Sequence, residues 1–162
     1  MHSRIFQVSK KPLTKNDYYA EERYWEDLNF VPAIADYVDE AGSKDDFEWL
    51  ASVLKGSAKV DYKNRTITIT NKLAYFENRF KAFKETIAKC ANLSLEEFAE
   101  KEHDRQLDTG MLFYELKEQI ESTYEFYLDD EKTWGCESLC SWMRHLDDGD
   151  VLYVGAVFDY HY

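Results

Sequence analysis

Strictly alternating apolar and polar positions give this chain its clearest strand signal. Val60–Tyr62 and Arg65–Thr70 form the two arms of a predicted hairpin, joined by Lys63–Asn64. The second arm alternates throughout, and Asn64 tolerates the positive φ that a tight turn requires. Arg4–Val8 predicts a further strand near the N-terminus. Val151–Phe158 is apolar on both faces, which is typical of a strand in the middle of a sheet.

Apolar residues at steps of three and four predict helices between these strands. The longest such stripe predicts a helix of about five turns with its apolar residues in the core. It consists of Leu73, Phe76, Phe80, Phe83, Ile87 and Cys90. Shorter patterns predict helices from Pro32 to Ala41, from Asp45 with a capping box to Glu48, and from Ser94 with a capping box to Glu97.

Two more helices are predicted in the C-terminal half. One runs from Leu112 to Tyr127 or Leu128, and a short one covers Cys136 to Leu146. The order of elements indicates a single α+β domain over residues 1–162. We expect about four antiparallel strands, formed by the N- and C-terminal strands and the central hairpin, covered on one side by four to six helices.

Composition is typical of a folded domain without a membrane span. The chain has 162 residues, of which 44% are hydrophobic and 16% aromatic, and this length suits one domain. No apolar run approaches the length of a membrane helix. The N-terminus lacks the apolar stretch of a signal peptide, so we expect a cytoplasmic protein. The three cysteines are an odd count, which argues against a disulfide framework.

Charge is distributed in blocks of opposite sign. The formal net charge is −12; acidic residues dominate 21–50 and 93–162, whereas basic residues dominate 51–92. Such a surplus repels nucleic acid and anionic membranes and attracts basic protein surfaces. The basic, aromatic stretch Lys72–Lys89 could touch phosphate, but its phenylalanines lie on the apolar stripe. Pairing of its lysines with the acidic helices of the same chain is the simpler interpretation.

Motifs for metal or catalytic chemistry are weak in this sequence. Cys136 and Cys140 would share one helix face, but zinc requires four ligands, so buried, inert thiols are favoured. A lone His103–Asp104 pair does not make a metal site. The turn Asp147–Asp150 lacks the ligand spacing of a calcium loop. We therefore predict no metal and no cofactor.

Acidic clusters near the C-terminus are the candidate binding site. Asp129, Asp130 and Glu131 should lie at or beyond a helix C-terminus, where negative charge is unfavourable, so solvation alone explains them poorly. Trp134 stands between this trio and the next cluster in the sequence, where it is either an aromatic anchor for a partner or a core residue. The predicted partner-binding residues are Asp129, Asp130, Glu131, Trp134, Asp147, Asp148 and Asp150.

These observations favour an interaction module that binds a basic protein surface. One version is an inhibitor that imitates nucleic acid and acts on a nucleic-acid-handling enzyme. A competing hypothesis is a small hydrolase-type enzyme that uses a carboxylate with His103 or His145 in a cleft. A third is a regulatory subunit that forms a homodimer through exposed aromatic residues.

Overall fold

A computed structural model of the chain describes residues 1–26, 30–99 and 109–162. These residues form two compact units, one from Met1–Tyr75 with Tyr124–Tyr162 and the other from Phe76–Thr123. The α+β class is confirmed. None of the described helices is long and apolar enough to cross a membrane.

The first unit is built on a seven-stranded sheet. Its strands are β1 (His2–Ser9), β2 (Tyr37–Ala41), β3 (Ala58–Asp61), β4 (Thr66–Ile69), β5 (Tyr127–Asp130), β6 (Gly135–Ser138) and β7 (Val151–His161). The order is β3-β4-β7-β1-β5-β6, and β2 also pairs with β7. The expectation of about four strands was therefore too low. The expectation of a wholly antiparallel sheet was also wrong, because β1 and β5 are parallel.

The C-terminal strand β7 lies in the middle of this sheet, as predicted, and the N-terminal strand β1 lies beside it. The eleven-residue β7 pairs with β1 on one side, and on the other with β4 through its first half and with β2 through its second half. The β3–β4 hairpin is also present, but the positive φ falls on Arg65 rather than Asn64. The Arg65 side chain is anchored to β7, because its Nε donates a hydrogen bond to the Val154 carbonyl at 3.1 Å.

Helices of the first unit cover both faces of the sheet rather than one. They are α1 (Glu22–Glu26), α2 (Phe30–Ala33), α3 (Lys44–Val53) and α7 (Leu139–His145). Ile5 and Phe6 are consecutive in β1 and therefore point to opposite faces. Ile5 packs in a cluster with Tyr24 of α1, whereas the Phe6 ring meets Phe47 of α3 edge-on at 5.6 Å.

Several element boundaries differ from the predictions in this unit. Tyr37–Ala41 is a strand rather than part of a helix, because it pairs with the end of β7. The N-cap of α3 is Ser43 and not the predicted Asp45. The Ser43 Oγ accepts a hydrogen bond from the Asp46 backbone N–H. Cys136 lies in β6 and Cys140 in α7, so the two cysteines do not share a helix face.

The second unit is helical in its described residues. It contains most of α4 (Lys72–Ala91), followed by α5 (Leu95–Ala99) and α6 (Thr109–Glu121). The Ser94–Glu97 capping box is present, with Glu97 N 3.1 Å from Ser94 Oγ. The helix predicted to reach Leu128 ends at Glu121, where Ser122 takes a positive φ of 58° and the chain turns away.

Candidate functional site

The predicted acidic trio lies in and just after strand β5, not at the end of a helix. Asp129 is flanked in the sheet by Gln7 of β1 and Cys136 of β6. Its exposed fraction is 0%, and that of Asp130 is 7%. Partner binding by these two carboxylates stays a prediction that their burial does not favour. All four residues of β5 are buried, so both faces of the sheet are covered at this strand.

Asp129 is the centre of a buried hydrogen-bond network. Its Oδ2 accepts from Arg23 Nε at 2.9 Å and from the Tyr24 hydroxyl at 3.0 Å. The Arg23 guanidinium also lies over the Tyr19 ring, 4.5 Å from its centroid. Arg23 Nη1 is 3.5 Å from Glu131 Oε2. A buried carboxylate so fully partnered stabilises the fold and is not available to an external cation.

Burial and the neighbouring charge keep this network in one protonation state. Burial raises the pKa of the Tyr24 hydroxyl, and the adjacent Asp129 carboxylate raises it further. Burial likewise raises the pKa of the Cys136 thiol well above its usual range. For Arg23, burial lowers the pKa, but the hydrogen bond to Asp129 and the negative charges of Asp129 and Glu131 together outweigh it and raise the pKa above its ordinary value. The groups stay as guanidinium, phenol and thiol at neutral pH.

The remaining members of the trio have local roles. Asp130 Oδ1 accepts a hydrogen bond from Lys132 N at 3.0 Å, which shapes the turn between β5 and β6. The Glu131 side chain is 63% exposed and its backbone N–H donates to the Tyr19 hydroxyl. Glu131 is therefore the member of the trio that can meet a partner.

The second predicted cluster forms the turn that was expected before β7. The Asp150 N–H donates to the Asp147 carbonyl at 3.0 Å, and the Asp147 N–H donates to Asp150 Oδ2 at 3.1 Å. Asp148 Oδ1 accepts from the backbone N–H of Lys72, the first residue of α4. Asp147 and Asp148 are nonetheless exposed on their other sides. These carboxylates hold a turn and a helix start in place.

Trp134 lines a pocket of about 140 Å³ next to the start of β6. Its indole stacks on the His145 imidazole at 4.8 Å and 30°, and meets the Trp142 indole edge-on at 4.8 Å. Glu137 and Ser141 complete the lining. The Trp142 indole N–H is buried, and no described residue accepts a hydrogen bond from it.

Local sequence explains how these side chains converge. Ser138 caps α7, with its Oγ accepting a hydrogen bond from Ser141 N at 3.2 Å. The cap fixes the helix start directly after β6, so Glu137 at the strand end lies beside the first turn. Ser141 and His145 are four residues apart on α7 and therefore share one face. Trp134 and His145 are the pocket residues that were candidates from the sequence. Glu137, Ser141 and Trp142 were missed because no local motif marks them.

Lys10 connects the pocket to the second acidic cluster. Its ammonium lies over the Trp134 ring, 6.0 Å from the centroid, and 3.5 Å from Asp150 Oδ2. Two of the predicted site residues, Trp134 and Asp150, thus contact the same cation. The structure brings these two residues to Lys10, whereas Asp129 is buried in its own network.

The part of the chain that the structure describes contains no candidate metal site. No group of three or more His, Cys, Asp or Glu side chains there could hold a metal ion. His103 lies outside the described residues.

Comparison of the chain with known protein families, with curated proteins and with solved structures finds no match.

Proposed function

We propose that this protein binds a basic segment of a partner protein, and that the Trp134 pocket receives one of its cationic side chains. The observation that carries the proposal is the position of Lys10, whose ammonium lies over the Trp134 ring and beside the Asp150 carboxylate. A lysine of the same chain thus contacts the ring that we expect a partner's lysine to contact.

The chemistry of the pocket suits a cation. The face of a tryptophan attracts an ammonium or guanidinium by about 0.5–1 kcal/mol at exposed sites. Glu137 adds an exposed carboxylate to the lining. The net charge of −12 supplies a long-range field that speeds the approach of a basic partner. Trp134, 39% exposed, has the composition and exposure of an interface anchor.

The hypothesis of a nucleic-acid mimic has less support than binding of a cationic side chain in the Trp134 pocket. A mimic requires a row of exposed carboxylates, and two of the predicted row, Asp129 and Asp130, are buried. The exposed acids that remain near the proposed contact are Glu131, Glu137, Asp147 and Asp148. We therefore assign the binding to an aromatic pocket with an acidic surround.

A titration with basic peptides tests the proposal. Oligolysine and oligoarginine peptides are titrated into the protein by isothermal calorimetry, with oligoglutamate as the charge control. We expect the basic peptides to bind and Trp134→Ala to weaken them by roughly tenfold, a typical anchor loss of over 1 kcal/mol. Trp25→Ala is the matched control, because Trp25 is 42% exposed and outside the pocket.

Two outcomes contradict the proposal. If neither basic peptide binds, a basic segment is excluded as the partner. Equal weakening by Trp134→Ala and Trp25→Ala indicates diffuse attraction to an acidic protein, with no role for the pocket.

The competing hydrolase hypothesis rests on the same pocket, since Glu137, Ser141 and His145 all line it. None of the hydrogen bonds between described residues joins the three, although an activated serine needs its base within bonding reach. A fluorophosphonate probe distinguishes the two functions. Labelling that is lost in Ser141→Ala favours the enzyme, and no labelling favours the binding module.

A further inference from the structure

Strand β6 forms one end of the sheet and lies beside the Trp134 pocket. The strand order runs from β3 at one end to β6 at the other, so among the described residues β6 pairs with β5 only. Glu137 of β6 lines the pocket, and Trp134 directly precedes the strand. An unpaired strand edge presents backbone N–H and C=O groups with which another chain can pair.

The register of β6 determines which of its backbone groups point away from the sheet. Leu139 N continues this register and donates to the Phe126 carbonyl at 2.7 Å, which makes the two residues a hydrogen-bonded pair. Hydrogen-bonded and non-hydrogen-bonded pairs alternate along antiparallel strands, so Glu137 also bonds inward to β5. The backbone groups of Cys136 and Ser138 therefore point outward.

Three of these outward groups accept or donate no hydrogen bond among the described residues. They are the N–H and the carbonyl of Cys136 and the N–H of Ser138. The Ser138 carbonyl is different, because Ser138 is the N-cap of α7 and the carbonyl of an N-cap residue accepts the first bond of its helix. Cys136 and Ser138 are both partly exposed. An extended segment of a partner can therefore reach this edge and add a strand to the sheet.

The two faces of the sheet differ in charge at β6. Consecutive residues of a strand point to opposite faces, and Glu137 is an exposed carboxylate on the face of the pocket. Cys136, on the other face, packs against the apolar cluster that contains Tyr24. The Arg23 guanidinium on that face is already bound to Asp129. A cationic side chain is therefore attracted on the Glu137 face and not on the Cys136 face.

We infer that β6 receives the partner's basic segment as an added strand, with basic residues at alternate positions directed toward Glu137 and Trp134. This inference rests on the proposed function, because it uses the same pocket and the same class of partner. The backbone of the segment bonds to Cys136 and Ser138. Its intervening side chains lie on the Cys136 face and are uncharged.

Charge favours β6 over the edge at the other end of the sheet. Strand β3 carries Lys59, and Lys55 and Lys63 lie just before and just after the strand. All three lysines are exposed, and their ammonium groups repel a basic segment. Residues 131–138, in contrast, carry two acidic side chains and one basic side chain.

Peptides of equal charge test the alternation by calorimetry with the unaltered protein. One octapeptide alternates lysine and threonine, and its isomer has its lysines in one half and its threonines in the other. Only the alternating peptide places every lysine on one face of a strand. We expect it to bind roughly fivefold more tightly than its isomer, as the sum of small cross-strand contacts.

Methylation of the peptide backbone tests the added strand without any change to the protein. The alternating peptide with a methyl group on every backbone nitrogen keeps its charges and loses all of its backbone N–H donors. It can no longer donate to the Cys136 carbonyl. We expect its affinity to fall roughly tenfold, as for the loss of one backbone hydrogen bond.

Amide hydrogen exchange, followed residue by residue by NMR, locates the bound segment. We expect the alternating peptide to slow exchange at Cys136 and Ser138, because their N–H groups gain carbonyl partners. The Glu137 N–H already bonds to β5, so its exchange should change little. This pattern of alternate residues is specific to an added strand.

The amide of Val60 is the matched control on the other edge. Thr70 N donates to the Ser57 carbonyl at 2.9 Å, so by the same alternation the Val60 N–H points outward from β3. We expect its exchange to be the same with and without the peptide.

Different results contradict this inference and the proposed function. If basic peptides bind and depend on Trp134, but backbone methylation has no effect and exchange at Cys136 and Ser138 is unchanged, the pocket function stands and the added strand is overturned. Slowed exchange in β2 or β3 in place of β6 also overturns it. If no basic peptide binds, the proposed function fails, and the inference fails with it.

Discussion

Arg23 and Asp129, separated by 106 residues in the chain, form an ion pair in which Nε lies 2.9 Å from Oδ2. The Asp129 side chain is completely buried and that of Arg23 is 12% exposed. The pair joins α1 to strand β5, which lies between β1 and the edge strand β6. A carboxylate that was predicted to bind a partner is thus paired within the protein itself.

Removal of this carboxylate should destabilise the protein strongly. We expect Asp129→Asn to lower the free energy of unfolding by about 3–5 kcal/mol, because a guanidinium is left buried without its partner. Urea denaturation measures the change. Glu131→Gln is the control, since that carboxylate is exposed and its pairing contributes about 0–1 kcal/mol. Similar losses in both variants would mean that the buried Asp129 carboxylate contributes no more to the free energy of unfolding than the exposed Glu131 carboxylate.

Local patterns predicted the elements whose signals are local. The β3–β4 hairpin follows from the alternation within Val60–Thr70, and α4 from the steps between Leu73 and Cys90. The burial of Asp129 could not be predicted, because a carboxylate typically lies at the surface and its partner Arg23 is distant in the chain. The strand at Tyr127–Asp130 was missed because Tyr124 and Tyr127 continue the helical spacing of α6, and no residue type signals the stop at Glu121.

The candidate site was predicted in part for the same reason. Trp134 was predicted as a site residue because acidic clusters flank it in the sequence. In the structure, Lys10 contacts both Trp134 and Asp150. Lys10 precedes Trp134 by more than a hundred residues, and only the pairing of β1 with the rest of the sheet brings it there. The exposure of Phe80 could not be predicted either, because the same apolar spacing occurs on buried helix faces and on exposed ones.

Gly155 should be intolerant of any side chain. The buried Gln7 side chain lies against it, accepting hydrogen bonds from Tyr19 N at 3.0 Å and Ala156 N at 2.9 Å. A Cβ on Gly155 would overlap Gln7 Oε1 and lie 2.7 Å from its Cδ. We expect Gly155→Ala to cost about 1–3 kcal/mol of stability in urea denaturation.

A double variant identifies the cause of that loss. Gln7→Ala removes the side chain that the new methyl group would meet. If Gly155→Ala costs as much in the Gln7→Ala background as in the natural chain, the clash is not the reason.

Asp46 should contribute stability that disappears in acid. Burial alone raises the pKa of Asp46, but hydrogen bonds from Arg4, the Gly42 backbone and Ser43 outweigh it and hold the pKa below its ordinary value. Because the folded pKa is depressed, the contribution is present above about pH 4 and is lost as the pH falls through the folded value.

The matched pair Asp46→Asn and Asp45→Asn tests this. Asp45 lies in the same helical turn and is exposed. We expect Asp46→Asn to lose about 1–2 kcal/mol at pH 7, as for a lost helix cap. The loss should be smaller in acid, once the pH has fallen below the depressed pKa of Asp46 and the natural carboxylate is protonated as well. Asp45→Asn should change stability little at either pH. A loss in Asp46→Asn that is equal at both pH values contradicts the linkage.

Lys10 should compete with a bound partner if the Trp134 pocket receives a cationic side chain. Its ammonium already contacts the Trp134 ring and Asp150, so a partner's lysine must displace it or share the site with it. Lys10→Met removes the competitor, and we expect the affinity for oligolysine to rise roughly 2–5-fold, equivalent to about 0.5–1 kcal/mol. Lys11→Met changes the net charge equally at an exposed neighbouring position and separates general electrostatics from the local effect. An equal gain in both variants would assign the effect to overall charge, whereas a loss of affinity in Lys10→Met alone would show that Lys10 organises the pocket instead of blocking it.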